Sequence, residues 1–414
     1  MNALTKEEIL NGFKNLRDGR EFYNLGKAAE ARAEADWLVG INATRAFTRK
    51  EGLLLSIGRV QTPTLFMIVE RENEIISFKP QKYFEIYAYF KKDGFKYSGK
   101  WFKDKEDRIY DEKVLNKIID SIKSKDGVVD SIDLKKNKIV PPLLYDLTEL
   151  QREANRVFGF TAQKTLSIAQ SLYENEKLIT YPRTDSRYLP SSLKGEVYKI
   201  MKSLINVEIY KENINYLLKI GLKFNSRIVD DSKVTDHFAI IPTGEVPKPS
   251  LSNEKRQIFD LVVKRFISVF YPPAEELKLT IITKIEKETF KSDEKYLTFS
   301  GWMKVYGKEE EIYEEIPLKV KDIVNTEKIE KVEKQTEPPP RFTDGTILSL
   351  METCGKLIED EELREIMKEK GIGTPATRAQ IIERLIEVGY IEREGKYLKT
   401  LPKGMKLIET LKKI

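Results

Sequence analysis

Hydrophobic positions along this chain switch between two periods. From residue 1 to 77 they recur every three or four residues. Ile9, Phe13 and Leu16 open the pattern, AAEARAEADWLVGINATRAF continues it on an Ala-rich background, and Leu65–Glu74 closes it, which predicts helices. Between 81 and 140 the period drops to two. In KYFEIYAYF, Phe84, Ile86, Ala88 and Phe90 fall on one face and Tyr83, Glu85, Tyr87 and Tyr89 on the other. Asp93-Gly94 is a turn signal and FKYSGKWF resumes the alternation, so a half-buried antiparallel strand pair is expected, ending at the Pro-Pro of NKIVPPLLY. Residues 146–270 return to helix. Thr148 with Gln151 reads as one cap, and Thr161 opens a helix striped by Leu166, Ala169, Leu172 and Tyr173. Residues 277–335 alternate again, in LKLTIITKIEKETF and YLTFSGWMKVYG, and read as strands returning to the first sheet. In 341–414, Thr343 leads a helix with Ile347, Leu348, Leu350 and Met351 on its core side. Thr374-Pro375 is an N-cap followed by proline at the first helical position. Ile381, Ile382, Leu385 and Ile386 follow, Gly389 stops that helix, and YIEREGKYLKTLP turns at Glu394-Gly395, a winged-helix-like pairing of helix and hairpin.

The length of 414 residues allows two to four domains, and 40% hydrophobic with 33% charged residues fits a soluble α+β multidomain protein. A net charge of +6 admits nucleic acid without demanding it. Cys354 and His237 each stand alone in their residue type, so an internal disulfide and a Cys/His metal cluster are excluded. No apolar run approaches the ~20 residues of a membrane span. MNALTKEEILNGF lacks a signal-peptide core, so a cytoplasmic protein is expected. There is no GxxxxGK[ST] string, hence no sign of an ATP motor.

The chemistry concentrates in Leu178–Pro190, LITYPRTDSRYLP. A phenol such as Tyr181 can attack a phosphodiester and store the bond as phosphotyrosine. Arg183, two residues on, can reach the charge gathering on phosphorus with a planar fork of donors. An isolated Tyr-x-Arg is usually only a surface segment, so the longer string carries the reading. In Ser56–Thr64, SIGRVQTPT, Gly58 and Pro63 bracket Arg59 and Gln61, and the backbone is expected to pass close to a ligand. Arg32 and Asp36 lie at i, i+4; as an exposed ion pair they would contribute less than ~1 kcal/mol. His237, in VTDHFAIIPTG, is by default structural but suits proton transfer or phosphate contact.

The thirteen-residue tyrosine string resembles the active-site segment of type IA DNA topoisomerases, with Pro182 and Arg187–Pro190 similar to the topoisomerase III branch. ADWLVGIN, SIGRVQTP, DHFAIIPT and GIGTPATRAQII resemble further family strings in family order, and TELQREANRVFGFTAQKTLSIAQSLYE resembles the segment ahead of the tyrosine. The resemblance implies a toroid. Residues 1–77 and 339–414 would form a helical base with winged-helix-like parts, 78–142 and 271–338 a β-rich arch, and 143–270 a gate carrying the tyrosine. It implies ATP-independent cleavage of single-stranded DNA through a 5′-phosphotyrosine at Tyr181, strand passage and religation. Arg183 would stabilise the phosphate, with His237 and Glu174 tuning the site. Arg32, Asp36, Ser56, Ile57, Gly58, Arg59, Val60, Gln61, Gln170, Thr180, Asp185, Thr377 and Arg378 would hold the strand. The family's Toprim domain, with its Mg²⁺-holding acids and the Glu and Lys facing the tyrosine, has no counterpart in these strings. A monomer that needs a Toprim partner is therefore expected, associated with the nucleoid and without a metal of its own. A non-catalytic single-strand DNA clamp is the competing expectation; a tyrosine recombinase would need a different set of Arg and His strings.

Overall fold

The computed structural model describes residues 6–234, 236–354 and 371–413. Contacts divide the chain into two compact units: Met1–Ser77, Pro142–Phe270 and Pro339–Ile414 make one, Phe78–Pro141 and Tyr271–Pro338 the other.

The first unit begins with α1 (Lys6–Lys14), α2 (Tyr23–Glu51) and α3 (Gln61–Ser77). The expected stripe of α1 packs on nothing described: Phe13 and Leu16 are 68% and 76% exposed. No residue of the 29-residue α2 is buried, although Trp37, Leu38 and Val39 follow one another along it. The tyrosine-bearing part holds α5 (Leu147–Phe158), α6 (Ala162–Glu174), α7 (Lys194–Leu204), α8 (Glu208–Ile220) and α9 (Asn253–Ser268). The cap of α5 is Asp146, whose side chain accepts the Glu149 amide at 2.7 Å, and not Thr148. A carboxylate one residue before the first turn meets the exposed amides better than a hydroxyl already inside it. Thr161 does cap α6, and Leu166, Ala169, Leu172 and Tyr173 are buried as its spacing required.

The C-terminal part holds α10 (Asp344–Thr353), α11 (Pro375–Glu387), the hairpin β7 (Ile391–Glu394) and β8 (Tyr397–Thr400), and α12 (Pro402–Leu411). Leu65 and Ile68 of α3 share one core with Ile347, Met351, Ile382, Tyr390 and Leu407. Thr343 and Thr374 are the N-caps, and Gly389 at φ +74° follows the end of α11. Gly371 is sterically required: at φ +61° an added Cβ would stand 2.4 Å from the Met351 carbonyl oxygen, which accepts the Ile372 amide at 2.7 Å.

The second unit is a closed antiparallel barrel of β1 (Lys82–Lys92), β2 (Phe95–Phe102), β3 (Gly127–Ile139), β4 (Ala274–Ile285), β5 (Glu288–Phe299) and β6 (Ile323–Gln335) in the order β1-β2-β5-β4-β3-β6. Asp93 and Gly94 turn the first hairpin at φ +48° and +86°, the positive pair a two-residue loop needs. Phe84, Ile86, Ala88 and Phe90 enter the core. Helix α4 (Glu112–Ile122), which the alternating pattern did not reveal, adds Leu115, Ile118 and Ile122. The other face of β1 is covered too. Glu85, 4% exposed, accepts from Lys100 Nζ and Lys334 Nζ, both at 2.7 Å, and from the Tyr87 hydroxyl at 2.9 Å. Burial would raise its pKa, but these three donors outweigh that and hold it at about 2. The expected strand through SGWMKVYG is instead a 3₁₀ helix, Gly301–Tyr306. Gly301, at φ +46° against the Pro272 carbonyl, turns the chain out of the sheet there. Among the described residues no helix is long and apolar enough to cross a membrane.

Candidate active site

The segment after α6 is an extended run held by backbone bonds to neighbouring loops. Leu178 N donates to Leu172 O (2.9 Å), Thr180 N to Ile241 O (2.9 Å), Ala239 N to Tyr188 O (3.0 Å) and Leu189 N to Ile228 O (2.8 Å). Extended backbone sends alternate side chains to opposite sides. Thr180, Pro182, Thr184 and Ser186 are buried, while Arg183 and Asp185 are exposed and Tyr181 is half-buried. The buried set fixes the run: Thr184 Oγ1 donates to His237 O (3.1 Å) and Ser186 Oγ to Lys233 O (2.8 Å). Thr180 Oγ1 donates to Ala239 O (3.1 Å) and accepts from Ile241 N (2.9 Å), so Thr180 supports the backbone from inside.

The Tyr181 ring meets Tyr173 edge-on, centroids 5.3 Å apart, and packs against His237 at 4.3 Å. Its hydroxyl has no hydrogen-bond partner among the described residues, and the Arg183 guanidinium has no ion-pair partner there. Arg183, Asp185, Asp236 and His237 line one side of a cavity of ≈ 170 Å³; the first turn of α11, Thr374–Ala376, lines the other. The positive end of the α11 dipole and Arg183 favour an anion there, while Asp185 and Asp236 on the same cavity oppose it. Burial holds the His237 pKa below its ordinary value, against the upward pull of Asp236 and Asp185, which leaves a ring nitrogen able to accept a proton near neutral pH.

The remaining sequence candidates fall in several places. Glu174 is exposed and accepts from Gln170 Nε2 at 2.5 Å; no hydrogen bond joins it to Tyr181. Gln170 Oε1 is buried without a partner among the described residues. Asp36 pairs with Arg59, whose Nη2 donates to it at 2.7 Å, and not with Arg32; Arg32 is exposed without an ion pair among the described residues. A guanidinium from the neighbouring loop reaches that carboxylate where its own-helix neighbour does not. The Ser56–Gln61 loop is braced by Ile57 N donating to Thr44 Oγ1 (2.9 Å), Gly58 N to Thr62 Oγ1 (3.1 Å) and the Tyr390 hydroxyl to Ser56 O (2.9 Å). Val60 lies against Gly373, and Gln61 is 8% exposed, leaving Arg59 as the loop's exposed cation. Gly58 has ordinary backbone, and a Cβ there would meet only Gln61 Cβ at 3.5 Å, so no close approach demands glycine. Thr377 Oγ1 accepts the Thr374 amide (3.0 Å) as part of the α11 cap. Arg378 is 3% exposed: Nε donates to Ile372 O and Nη1 to Thr148 Oγ1, both at 3.1 Å, tying α11 to α5 from the interior and not from a strand-facing surface.

Sequence reading passed over Asp146 and used Arg187 only as part of the Arg187–Pro190 string. Arg187 Nε donates to Leu144 O (3.0 Å) and lies 4.0 Å from the Asp146 carboxylate. Burial pushes the Asp146 pKa up to about 7, against the Glu149 amide and Arg187, which pull it down. The Asp before LTELQ was itself a capping signal. Among the described residues no group of three or more His, Cys, Asp or Glu side chains is gathered as a metal site.

A family model described as DNA topoisomerase matches residues 20–414, and the chain belongs to that family. It is of the type IA class and similar to topoisomerase III. It is 41% identical over 422 residues to DNA topoisomerase 3 of Bacillus licheniformis and 40% identical over 421 residues to that of Bacillus subtilis, each match covering 99% of this chain. It spans 57% and 58% of the length of these relatives. Full-length topoisomerase I from Thermotoga maritima superposes with a TM-score of 0.75 at 27% identity, over 100% of this chain and 65% of that one.

Proposed function

We propose that this chain carries the nucleophile and part of the strand-binding surface of a type IA topoisomerase. The observation that carries this reading is the Tyr181 ring, its hydroxyl without a hydrogen-bond partner among the described residues, packed against His237, which lines a cavity with Arg183 and the start of α11. The Tyr181 oxygen attacks phosphorus, the bond to the 3′ oxygen breaks, and the 5′ phosphate remains on the tyrosine. The phenol proton leaves as the bond forms, and a proton reaches the departing 3′ oxygen; religation reverses both transfers. Arg183 and the positive end of the α11 dipole take the charge developing on phosphate oxygens. His237 offers a neutral ring within the same contact shell, and Glu174 acts through Gln170. Arg59, Arg32 and Asp185 face the strand, with Asp36, Gln61, Thr180, Thr377 and Arg378 holding the backbone that presents them. No energy-coupled nucleotide is required, because the phosphotyrosine conserves the bond.

The described residues place no hydrogen-bonded proton acceptor on Tyr181, and Tyr has an ordinary pKa near ~10. A Toprim domain in trans, bringing Mg²⁺, a Glu and a Lys, is therefore the partner of this reading. General acid–base help is typically ~10²–10⁴-fold and one lost oxyanion donor costs ~10²–10³-fold, so the chain alone cleaves below detection. The same missing acceptor favours a second reading, a single-strand DNA clamp without chemistry. The two part in one assay. A labelled single-stranded oligonucleotide is incubated with the chain, with and without a separately expressed Toprim domain and Mg²⁺, and denatured. Covalent adduct only with both additions supports the enzyme reading, and binding without adduct under every condition supports the clamp. Robust adduct or relaxation by the chain alone contradicts the partner requirement.

A further inference from the structure

The tyrosine-bearing residues and the C-terminal part of the same unit interlock through three helix ends. Asp344 is the first residue of α10 and 2% exposed, and its Oδ2 accepts the amide of Ala162, the first residue of α6, at 2.9 Å. In return Gly345 N donates to Oδ1 of Asn155, on α5, at 3.2 Å, and Asn155 Nδ2 donates to Phe160 O at 3.0 Å. The Asp344 carboxylate is itself fixed. Arg393, on β7, donates Nε to Oδ1 at 3.1 Å and Nη2 to Oδ2 at 3.0 Å, and its two Nη atoms also donate to Glu383 of α11 at 3.0 and 2.6 Å.

Asp344 is not the ordinary cap of α6, because Thr161 already accepts the Lys164 amide at 3.1 Å. It is a second acceptor, and an anionic one, supplied from another part of the chain at the positive end of the helix that leads into the tyrosine segment. Beyond α6, the Leu178-to-Leu172 bond and the edge contact of Tyr173 with Tyr181 connect this helix to the nucleophile. Directional bonds that form on both sides of one contact are made or lost together, unlike apolar packing, which loosens by degrees.

We propose that Asp344, held by Arg393, is a positioning residue: a polar catch that governs whether the α5–α6 pair stays attached to α10 and the winged-helix-like part. It rests on the strand-passage reading only for its consequence, since detachment there is what displaces Tyr181. The catch itself is tested without activity. The first amides of a helix have no acceptor within it, so exchange protection of Ala162 and Gly345 reports these bonds directly, whereas Leu166, inside α6, reports the helix. Residue-resolved hydrogen exchange is measured on the full chain and on Asp344→Asn and Asn155→Ala. Asp344→Asn breaks the Arg393 fork while keeping a weaker acceptor, and Asn155→Ala removes the reciprocal bond. In each variant Ala162 and Gly345 are expected to exchange faster together, on the order of tenfold, with Leu166 unchanged. Equal acceleration of all three amides would mean general loosening and overturn the proposal, as would no change at Ala162 and Gly345. Failure of the strand-cleavage reading would show as absent adducts in the wild type even with the Toprim domain and Mg²⁺, a separate result.

Discussion

Asp146→Asn isolates the raised titration of one buried carboxyl in the first unit. Asparagine keeps an acceptor for the Glu149 amide, so the α5 cap survives and only the ionisation is removed. In the wild type the unfolded chain releases this proton near 3.8 and the folded chain near about 7. Between those values the folded state binds more protons, so stability falls as pH rises: the contribution is whole below pH 3.8 and gone above about 7. At ~1.4 kcal/mol per pH unit the interval corresponds to ~4 kcal/mol, and relaxation around a buried charge reduces what is seen to ~1–2 kcal/mol. Arg187 and Arg378 face the carboxyl and favour its charged form, while Glu149 and Glu352 oppose it. Urea unfolding of both proteins at pH 5 and pH 8 is the assay, because their difference cancels every other titrating group. The variant should gain ~1–2 kcal/mol on the wild type between the two pH values. Parallel behaviour would refute the raised pKa and mean that Arg187 keeps Asp146 ionised across this range.

Gly371→Ala forces a side chain into φ +61° and against the Met351 carbonyl oxygen; it should cost ~2–3 kcal/mol in unfolding, whereas Gly52→Ala, at φ +65° in open space, should cost ~1 kcal/mol. Glu85→Gln leaves Lys334 without its anion and Lys100 with Asp107 alone, and should destabilise the barrel by ~2–3 kcal/mol at pH 7. Because Glu85 is held at about 2, below its ordinary value, this difference should shrink as pH falls from 4.5 toward 2 in acid-unfolding curves. Arg59→Ala should weaken single-stranded oligonucleotide binding roughly three- to tenfold and reduce the slope of log K against log salt by about 0.7; equal wild-type affinity for single and double strands at fixed salt would contradict the single-strand reading.

Elements with one dominant local cause were legible in the sequence. The Asp93-Gly94 turn, the Thr161 cap of α6 and the Thr374-Pro375 start of α11 depend on a few neighbouring residues. Helix α4 was not legible, because its three apolar positions lie in a charged stretch between strands and gain meaning only against the barrel core. The bend at Gly301 depends on Pro272, far off in sequence. At the site, Tyr181, Arg183 and His237 stood out by chemistry; Arg183 and His237 line one cavity, and the Tyr181 ring packs against His237. The environments of Arg378 and Thr180 could not be read, since residue type does not reveal whether a polar group faces solvent or supports a backbone from within. Asp36 chose Arg59 over Arg32 for the same reason: an ion pair follows folded distance, not helical spacing.

The central claim, that Tyr181 is the atom donor to phosphorus, is tested most directly by mapping the adduct. The chain, a Toprim domain and Mg²⁺ are incubated with a single-stranded oligonucleotide, the adduct is trapped by denaturation and digested, and the modified peptide is sequenced by mass spectrometry. A phosphotyrosyl link at Tyr181 through the 5′ phosphate, absent in Tyr181→Phe while oligonucleotide affinity holds, is the expected result. An adduct on any other residue, or one that persists in Tyr181→Phe, would contradict it.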